Sequence, residues 1–196
     1  MRRAVMLVAV LASAACAPTP LPPADGSGWV RLPPEAGSGV LFDPDRIASL
    51  TIAATLTAPS RQEGDPVAQA RALGWYEFAT VALNAPRWAG LDPLAVLLLR
   101  EGRTELRAAY GIRQDAPAQL VLDSFFMAAA ALSVGDRAGA VRSFPPGILT
   151  IPGETMLARL AAPPSLPRVA QASAFAGVAV NRFGSGGVVR TGALAR

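Results

Sequence analysis

The sequence predicts an all-α fold, a small irregular bundle of about six or seven antiparallel helices between residues 41 and 183. Three Asp-Pro pairs, at residues 43–44, 65–66 and 92–93, divide this region at intervals of one helix plus a short connection. At each pair the aspartate can accept a hydrogen bond as the helix N-cap. Proline suits the first helical position because its missing N–H would have no partner there.

The segments after these starts show helical patterns of differing clarity. Residues 47–57, "IASLTIAATLT", alternate like a strand as well, but the Asp-Pro start favours a helix. Residues 117–136, "PAQLVLDSFFMAAAALSVGD", are apolar on most sides, which predicts the most buried helix. Later helices are expected at residues 136–144, 153–162 and 167–183, and Asp136 is the expected start of the first of these.

The helix that starts at Asp92, "DPLAVLLLREGRTELRAAYG", is amphipathic. Gly102 lies on its apolar face, where it either lets a neighbouring helix approach closely or marks a break. Arg100, Arg103 and Arg107 recur at i, i+3 and i+7 on the other face. This stripe predicts either a solvated surface or a site for anionic lipid headgroups or an acidic partner, since the arginine fork suits phosphate and carboxylate.

Both ends of the predicted domain have the composition of flexible chain. Residues 17–40 contain six prolines and four glycines, so residues 16–40 are expected to form a linker. Residues 184–196, "GSGGVVRTGALAR", are expected to form a flexible tail. Because "GSGG" precedes a tail and not a helix, it does not predict a phosphate-binding loop.

The first fifteen residues have the features of a secretory signal peptide. Arg2 and Arg3 precede the apolar run "AVMLVAVLA", and small residues follow it. A helix that spans a bilayer needs about 20 apolar residues, so this run is too short for an ordinary membrane span.

The small residues Ser13, Ala14 and Ala15 precede Cys16, the only cysteine of the chain, and this segment resembles the lipobox of bacterial lipoproteins. Ser13 occupies a position where that family usually has a large aliphatic residue. The resemblance implies that the Cys16 thiol is diacylated, that Cys16 becomes the mature N-terminus, and that the protein is anchored to the inner or outer membrane, facing the periplasm. The alternative is plain secretion into the periplasm after cleavage behind Ala14 or Ala15.

Composition excludes most familiar catalytic groups. The chain contains no histidine and no lysine, so it lacks a Ser-His-Asp triad, imidazole metal ligands and a Schiff-base lysine. We therefore predict no metal site and no cofactor.

The net charge is +4, of which two units belong to Arg2 and Arg3 in the signal segment. No dense basic patch interleaved with aromatic residues occurs, so nucleic acid is not an expected partner.

Carboxylates remain as possible catalytic groups. Glu77 shares a helical stripe with polar residues, which predicts a solvated face, and Asp123 near Gln119 is interpreted in the same way. Arg71 projects among apolar positions, where it either pairs with a buried partner or extends its head to water.

These observations predict a membrane-anchored envelope lipoprotein with a non-catalytic helical interaction or assembly domain and an envelope protein as its partner. Two alternatives stay open. The first is a carboxylate-dependent hydrolase of envelope polymer, which a cleft with two facing carboxylates would favour. The second is a periplasmic binder of a small apolar ligand, which an apolar cavity would favour.

Overall fold

A computed structural model describes residues 29–37, 43–58 and 63–189, and within these ranges it confirms the all-α prediction. An isolated bridge between Ile112 and Leu149 is the only β-type pairing in the described ranges. Short 3₁₀ helices span Pro34–Ala36 and Pro86–Trp88. The α-helices, in chain order, are α1 (Pro44–Leu56), α2 (Pro66–Ala82), α3 (Pro93–Tyr110), α4 (Ala118–Ser133), α5 (Arg137–Arg142), α6 (Gly153–Ala161) and α7 (Pro167–Val189).

The aspartate caps form as the sequence predicts. Four side chains accept a hydrogen bond from a backbone N–H in the first turn of the following helix, at distances of 2.7 to 3.3 Å: Asp43, Asp65, Asp92 and Asp136. The segment at residues 47–57, whose pattern allowed a strand, belongs to α1. The start of α4 differs, because Pro117 is itself the N-cap residue and no side chain caps that helix.

Helix α2 lies at the centre of the bundle and packs against α1, α3, α4 and α6. Helix α7 packs against α1 and α3, and α5 contacts both α4 and α6. Twelve of the 17 residues of α2 are buried, against eight of 16 in α4. The prediction that α4 is the most buried helix is therefore wrong, because α2 has neighbouring helices on more of its sides.

The domain begins earlier than the predicted boundary at residue 41. Val30 and Leu32 pack against the core, and Gln119 of α4 holds the backbone of Arg31 with two hydrogen bonds. The Arg31 N–H donates to Gln119 Oε1 at 2.7 Å, and Gln119 Nε2 donates to the Arg31 carbonyl oxygen at 2.8 Å. The expectation of a flexible linker is thus wrong for residues 29–37.

The C-terminal boundary also differs from the prediction. Helix α7 continues to Val189, beyond the expected end at Phe183, so residues 184–189 are not a loose tail. The Phe183 ring packs on Trp88 with ring centroids 5.1 Å apart, which ties this end of α7 to the segment before α3. Residues 190–196 lie outside the described ranges.

The segment predicted to be a signal peptide, Cys16 and residues 17–28 also lie outside the described residues. Within the described ranges, no helix is long and apolar enough to cross a membrane.

The two tyrosines of the chain are both fully buried and provide a test of the core. Burial raises the pKa of Tyr76 far above 10, and the charges of Glu77 and Glu105 raise it further. Burial also raises the pKa of Tyr110, although the hydrogen bond from Gln69 and the charge of Arg159 oppose this shift. Both phenols therefore stay neutral in the folded protein at a pH where an unfolded tyrosine ionises.

We expect the free energy of unfolding to fall as the pH rises above about 10, the usual tyrosine pKa, because only the unfolded state then loses these protons. The expected slope approaches 1.4 kcal/mol per pH unit for each tyrosine. Tyrosinate absorbance should therefore increase together with the loss of helical circular dichroism. Tyrosinate absorbance that increases near pH 10 while the helical signal is unchanged would contradict the buried positions of both rings.

Candidate functional site

Helices α2 and α3 share a buried cluster of charged side chains. Glu77 of α2 is fully buried, and its Oε1 accepts a hydrogen bond from Arg107 Nε at 2.8 Å. Its Oε2 accepts from Arg107 Nη2 at 3.0 Å and from Arg103 Nε at 2.8 Å. The Arg107 guanidinium thus binds the carboxylate through two hydrogen bonds. Because both groups are charged, these hydrogen bonds are stronger than those between neutral groups.

Arg107 also holds the loop that follows α3. Its Nη1 donates to the carbonyl oxygens of Arg113 at 3.3 Å, Gln114 at 2.9 Å and Ala116 at 2.9 Å. The helix ends at Gly111, which has a φ of 64° in the left-handed region that glycine adopts without strain. One guanidinium group therefore joins α2, α3 and the loop before α4.

This cluster corrects the prediction for Glu77. Its helical stripe was expected to face solvent, yet Gln69, Glu77 and Thr80 are all at most 1% exposed. The prediction assumed that only one face of α2 is buried, whereas four helices surround α2.

Arg71 is exposed, in agreement with the alternative that its head extends to water.

The three arginines of α3 do lie along one stripe, but they differ in exposure. The Arg107 side chain is 2% exposed and that of Arg103 is 11% exposed, while Arg100 is half-buried. The expectation that all three present their charges to solvent is therefore wrong for Arg107. That face of α3 lies against α2, where Glu77 supplies the carboxylate that a buried arginine requires. The binding of an anionic lipid or an acidic partner by these residues stays a prediction.

A cavity of about 340 Å³ opens beside this cluster. Its lining residues are Arg100, Arg103, Thr104, Arg107 and Gln114. Four of them come from successive turns of α3, and Gln114 comes from the loop that Arg107 holds. The Gln114 Nε2 donates to the Thr104 carbonyl oxygen at 3.1 Å, which fixes the loop against the helix. We call this cavity the arginine pocket.

A larger cleft of about 620 Å³ lies at the C-terminal end of α2, where Phe78 and Ala82 line it. Most of its lining is apolar, as in sites that bind small apolar molecules. The residues come from the segment before α1, the start of α1, the end of α2 and the segment before α3. We call it the apolar cleft; its lining residues are Trp29, Val30, Arg31, Leu32, Pro44, Asp45, Phe78, Ala82, Ala85, Pro86 and Arg87.

One buried carboxylate lies at the wall of the apolar cleft. Asp45 is 1% exposed, and its Oδ2 accepts a hydrogen bond from Trp88 Nε1 at 2.6 Å. Arg87, whose side chain is 55% exposed, forms an ion pair with the same oxygen. Both partners already neutralise and orient Asp45, so this carboxylate is part of the wall of the cleft.

A shallow groove along α4 is lined by two carboxylates, Glu35 and Asp123. Asp123 accepts a hydrogen bond from Gln119 Nε2 at 2.8 Å, the same amide that holds Arg31. The carboxylate-dependent hydrolase stays a prediction. Among the described residues, no group of three or more acidic, cysteine or histidine side chains comes together as a metal site.

Comparisons with known proteins found no matching family model, no matching curated protein and no matching solved structure.

Sequence reasoning identified the arginines of the pocket but missed most of the apolar cleft. Trp29, Val30 and Leu32 lie in a stretch whose prolines and glycines indicated a linker. The alternation of apolar Val30 and Leu32 around Arg31 was the available signal. The pairing of Asp45 with Arg87 had no local signal, because the two residues are far apart in the chain.

Proposed function

We propose that this protein is a bacterial envelope lipoprotein, anchored through acyl chains on Cys16, whose helical domain is a non-catalytic interaction or assembly module. One observation carries the proposal: a signal-like segment ends in small residues immediately before the only cysteine of the chain. One acyl chain gives marginal membrane binding, whereas two give stable anchoring. A diacylated Cys16 therefore suffices without a membrane-spanning helix.

Val30 packs against the core, so only a short stretch of chain separates Cys16 from residues that belong to the fold. Even fully extended, this stretch reaches at most about 50 Å. An anchored domain would therefore work close to the bilayer surface, where its partner is expected to be another envelope protein.

The anchor is tested by the change Cys16→Ser in full-length protein expressed in a Gram-negative host. We expect the wild-type protein to sediment with membranes and to stay there after a high-salt wash, because its attachment is hydrophobic. The Cys16→Ser variant should be released to the soluble fraction or remain as unprocessed precursor. A variant that is processed and still sediments with membranes as wild type does would refute the lipid anchor.

The apolar cleft favours a second candidate function, the binding of a small apolar ligand. Its volume of about 620 Å³ lies within the range of small-molecule sites, roughly 300–1,000 Å³. Trp29 lines it and is 46% exposed, so an apolar ligand would remove part of the indole from water. The arrangement of Asp45 and Arg87 at its wall offers one polar contact for orientation.

We expect a brominated alkanol to quench the fluorescence of Trp29 saturably, in a mature chain that carries Cys16→Ser so that no detergent is needed. The change Ala82→Leu adds bulk to the lining and should weaken the apparent binding roughly tenfold, about 1.4 kcal/mol. Val134→Ile is the matched control, since Val134 is 79% exposed and lies outside the lining. Quenching that does not saturate, or that Ala82→Leu leaves unchanged, would exclude this candidate.

A further inference from the structure

One side chain of the arginine pocket, Arg100, has a buried nitrogen without a hydrogen-bond partner among the described residues. The Nε of Arg100 is buried, and no hydrogen bond joins it to any group in the described part of the chain. Buried polar groups are nearly always paired, so each exception requires an explanation. Arg107 on the same stripe shows the contrast, because Glu77 and three carbonyl oxygens engage its guanidinium.

Three guanidinium groups line the arginine pocket, and the Glu77 carboxylate contacts two of them, Arg103 and Arg107. The neighbouring carboxylate Glu105 is engaged elsewhere, since its Oε2 accepts from the backbone N–H of Val169 at 2.9 Å. Like charges on one helix face repel each other, so the pocket favours an anion.

The neighbouring Asp115 is paired with Arg113 and is not shown in contact with Arg100. Its carboxylate forms two hydrogen bonds with the guanidinium of Arg113, at 2.8 and 2.5 Å. The Arg113 guanidinium beside Asp115 holds the pKa of this carboxyl below its usual range, so the carboxylate is ionised and paired at neutral pH. No carboxylate is therefore shown in contact with Arg100, the pocket arginine whose Nε has no hydrogen-bond partner among the described residues.

We propose that the arginine pocket binds a phosphoryl group, with Arg100 as the residue that determines affinity and the Glu77–Arg103–Arg107 cluster as its rigid base. The oxygens of a phosphoryl group accept from guanidinium N–H groups in the fork geometry that arginine presents. The Gln114 amide lies on the pocket lining as an additional donor. A volume of about 340 Å³ holds the phosphoryl group together with part of the molecule that carries it.

This proposal goes beyond the lipoprotein function and does not depend on it, because it rests on the folded domain alone. Two sources share the required chemistry. The phosphoryl group can belong to the headgroup of an anionic lipid or to a soluble phosphate. A pocket near a bilayer can meet either one, and the experiment distinguishes them.

The test uses full-length protein in a neutral detergent and measures its melting temperature with inorganic phosphate at constant ionic strength. At a hundredfold excess over the dissociation constant, phosphate should raise the melting temperature of the wild-type protein by about 5 °C. The rise should be below about 1 °C in Arg100→Gln. Arg71→Gln is the matched control, because it removes an exposed arginine of α2 outside the pocket, and it should respond as wild type does.

A second measurement places the same proteins in phosphatidylcholine nanodiscs with and without phosphatidylglycerol. A stabilisation by phosphatidylglycerol that Arg100→Gln abolishes identifies a lipid headgroup as a ligand. A response to inorganic phosphate alone identifies a soluble phosphate. The proposal is overturned if neither probe stabilises the wild-type protein, or if all three proteins respond equally. It is also overturned if Arg100→Gln melts more than about 5 °C below wild type without any ligand, because Arg100 would then be structural.

Discussion

The change Arg107→Met should lower the free energy of unfolding by about 3–5 kcal/mol. It removes the guanidinium group that donates two hydrogen bonds to the fully buried Glu77 carboxylate. The same group also donates to three carbonyl oxygens of the following loop. The breaking of one side of a buried ion pair is costly because the remaining charge stays out of water. Single domains have a free energy of unfolding of about 5–15 kcal/mol, so this loss is a large fraction of the total stability. Urea unfolding followed by circular dichroism measures the difference.

An exposed ion pair supplies the matched control. Arg137 donates to Glu154 at 2.6 Å, but the two side chains are 61% and 62% exposed. Water and salt screen such a pair, so Arg137→Met should cost less than about 1 kcal/mol. A loss of less than about 1 kcal/mol in Arg107→Met as well would show that the buried cluster contributes no more than a surface pair.

The change Gly102→Ala should destabilise the protein by about 1–3 kcal/mol, although helix propensity alone favours alanine by about 1 kcal/mol. A Cβ at this position would collide with the Tyr76 hydroxyl and lie 3.2 Å from the Val169 Cα of α7. Tyr76 has little freedom to move, since it is fully buried and its hydroxyl donates to the Leu99 carbonyl oxygen at 3.1 Å. Overpacking of the contacts between α3, α2 and α7 therefore outweighs the propensity.

A second change separates the two contacts of this added methyl group. Tyr76→Phe removes the hydroxyl with which the Cβ collides, so Gly102→Ala should cost less in a Tyr76→Phe background than in wild type. The double-mutant cycle measures this coupling from four unfolding curves. Unchanged or increased stability of Gly102→Ala alone would contradict the close approach of these helices.

The helices themselves could be predicted because their signals are local. An aspartate cap and the backbone N–H that donates to it lie within one turn of each other, so Asp43, Asp65, Asp92 and Asp136 could be read from short stretches of sequence. The apolar face of α3 was equally visible, since Gly102 and its neighbours at helical spacing are buried as expected.

The candidate sites could be predicted only in part, because they depend on contacts between distant residues. The arginine stripe was visible on α3, but its partner Glu77 lies 30 residues earlier, on a helix whose polar face indicated solvent. A helical projection identifies one favoured face and does not reveal how many neighbours surround a helix. The apolar cleft was hidden for a related reason: proline and glycine content does not reveal that Gln119 holds residue 31.

The central claim, that acyl chains on Cys16 anchor this protein, is tested most directly by the mass of the N-terminal peptide of the mature protein, isolated from a membrane fraction. We expect this peptide to begin at Cys16 and to carry the added mass of a diacylglyceryl group on its thiol. A mature peptide that begins after Ala14 or Ala15 with a free Cys16 thiol, or a chain that retains its first fifteen residues without acylation, would contradict the claim.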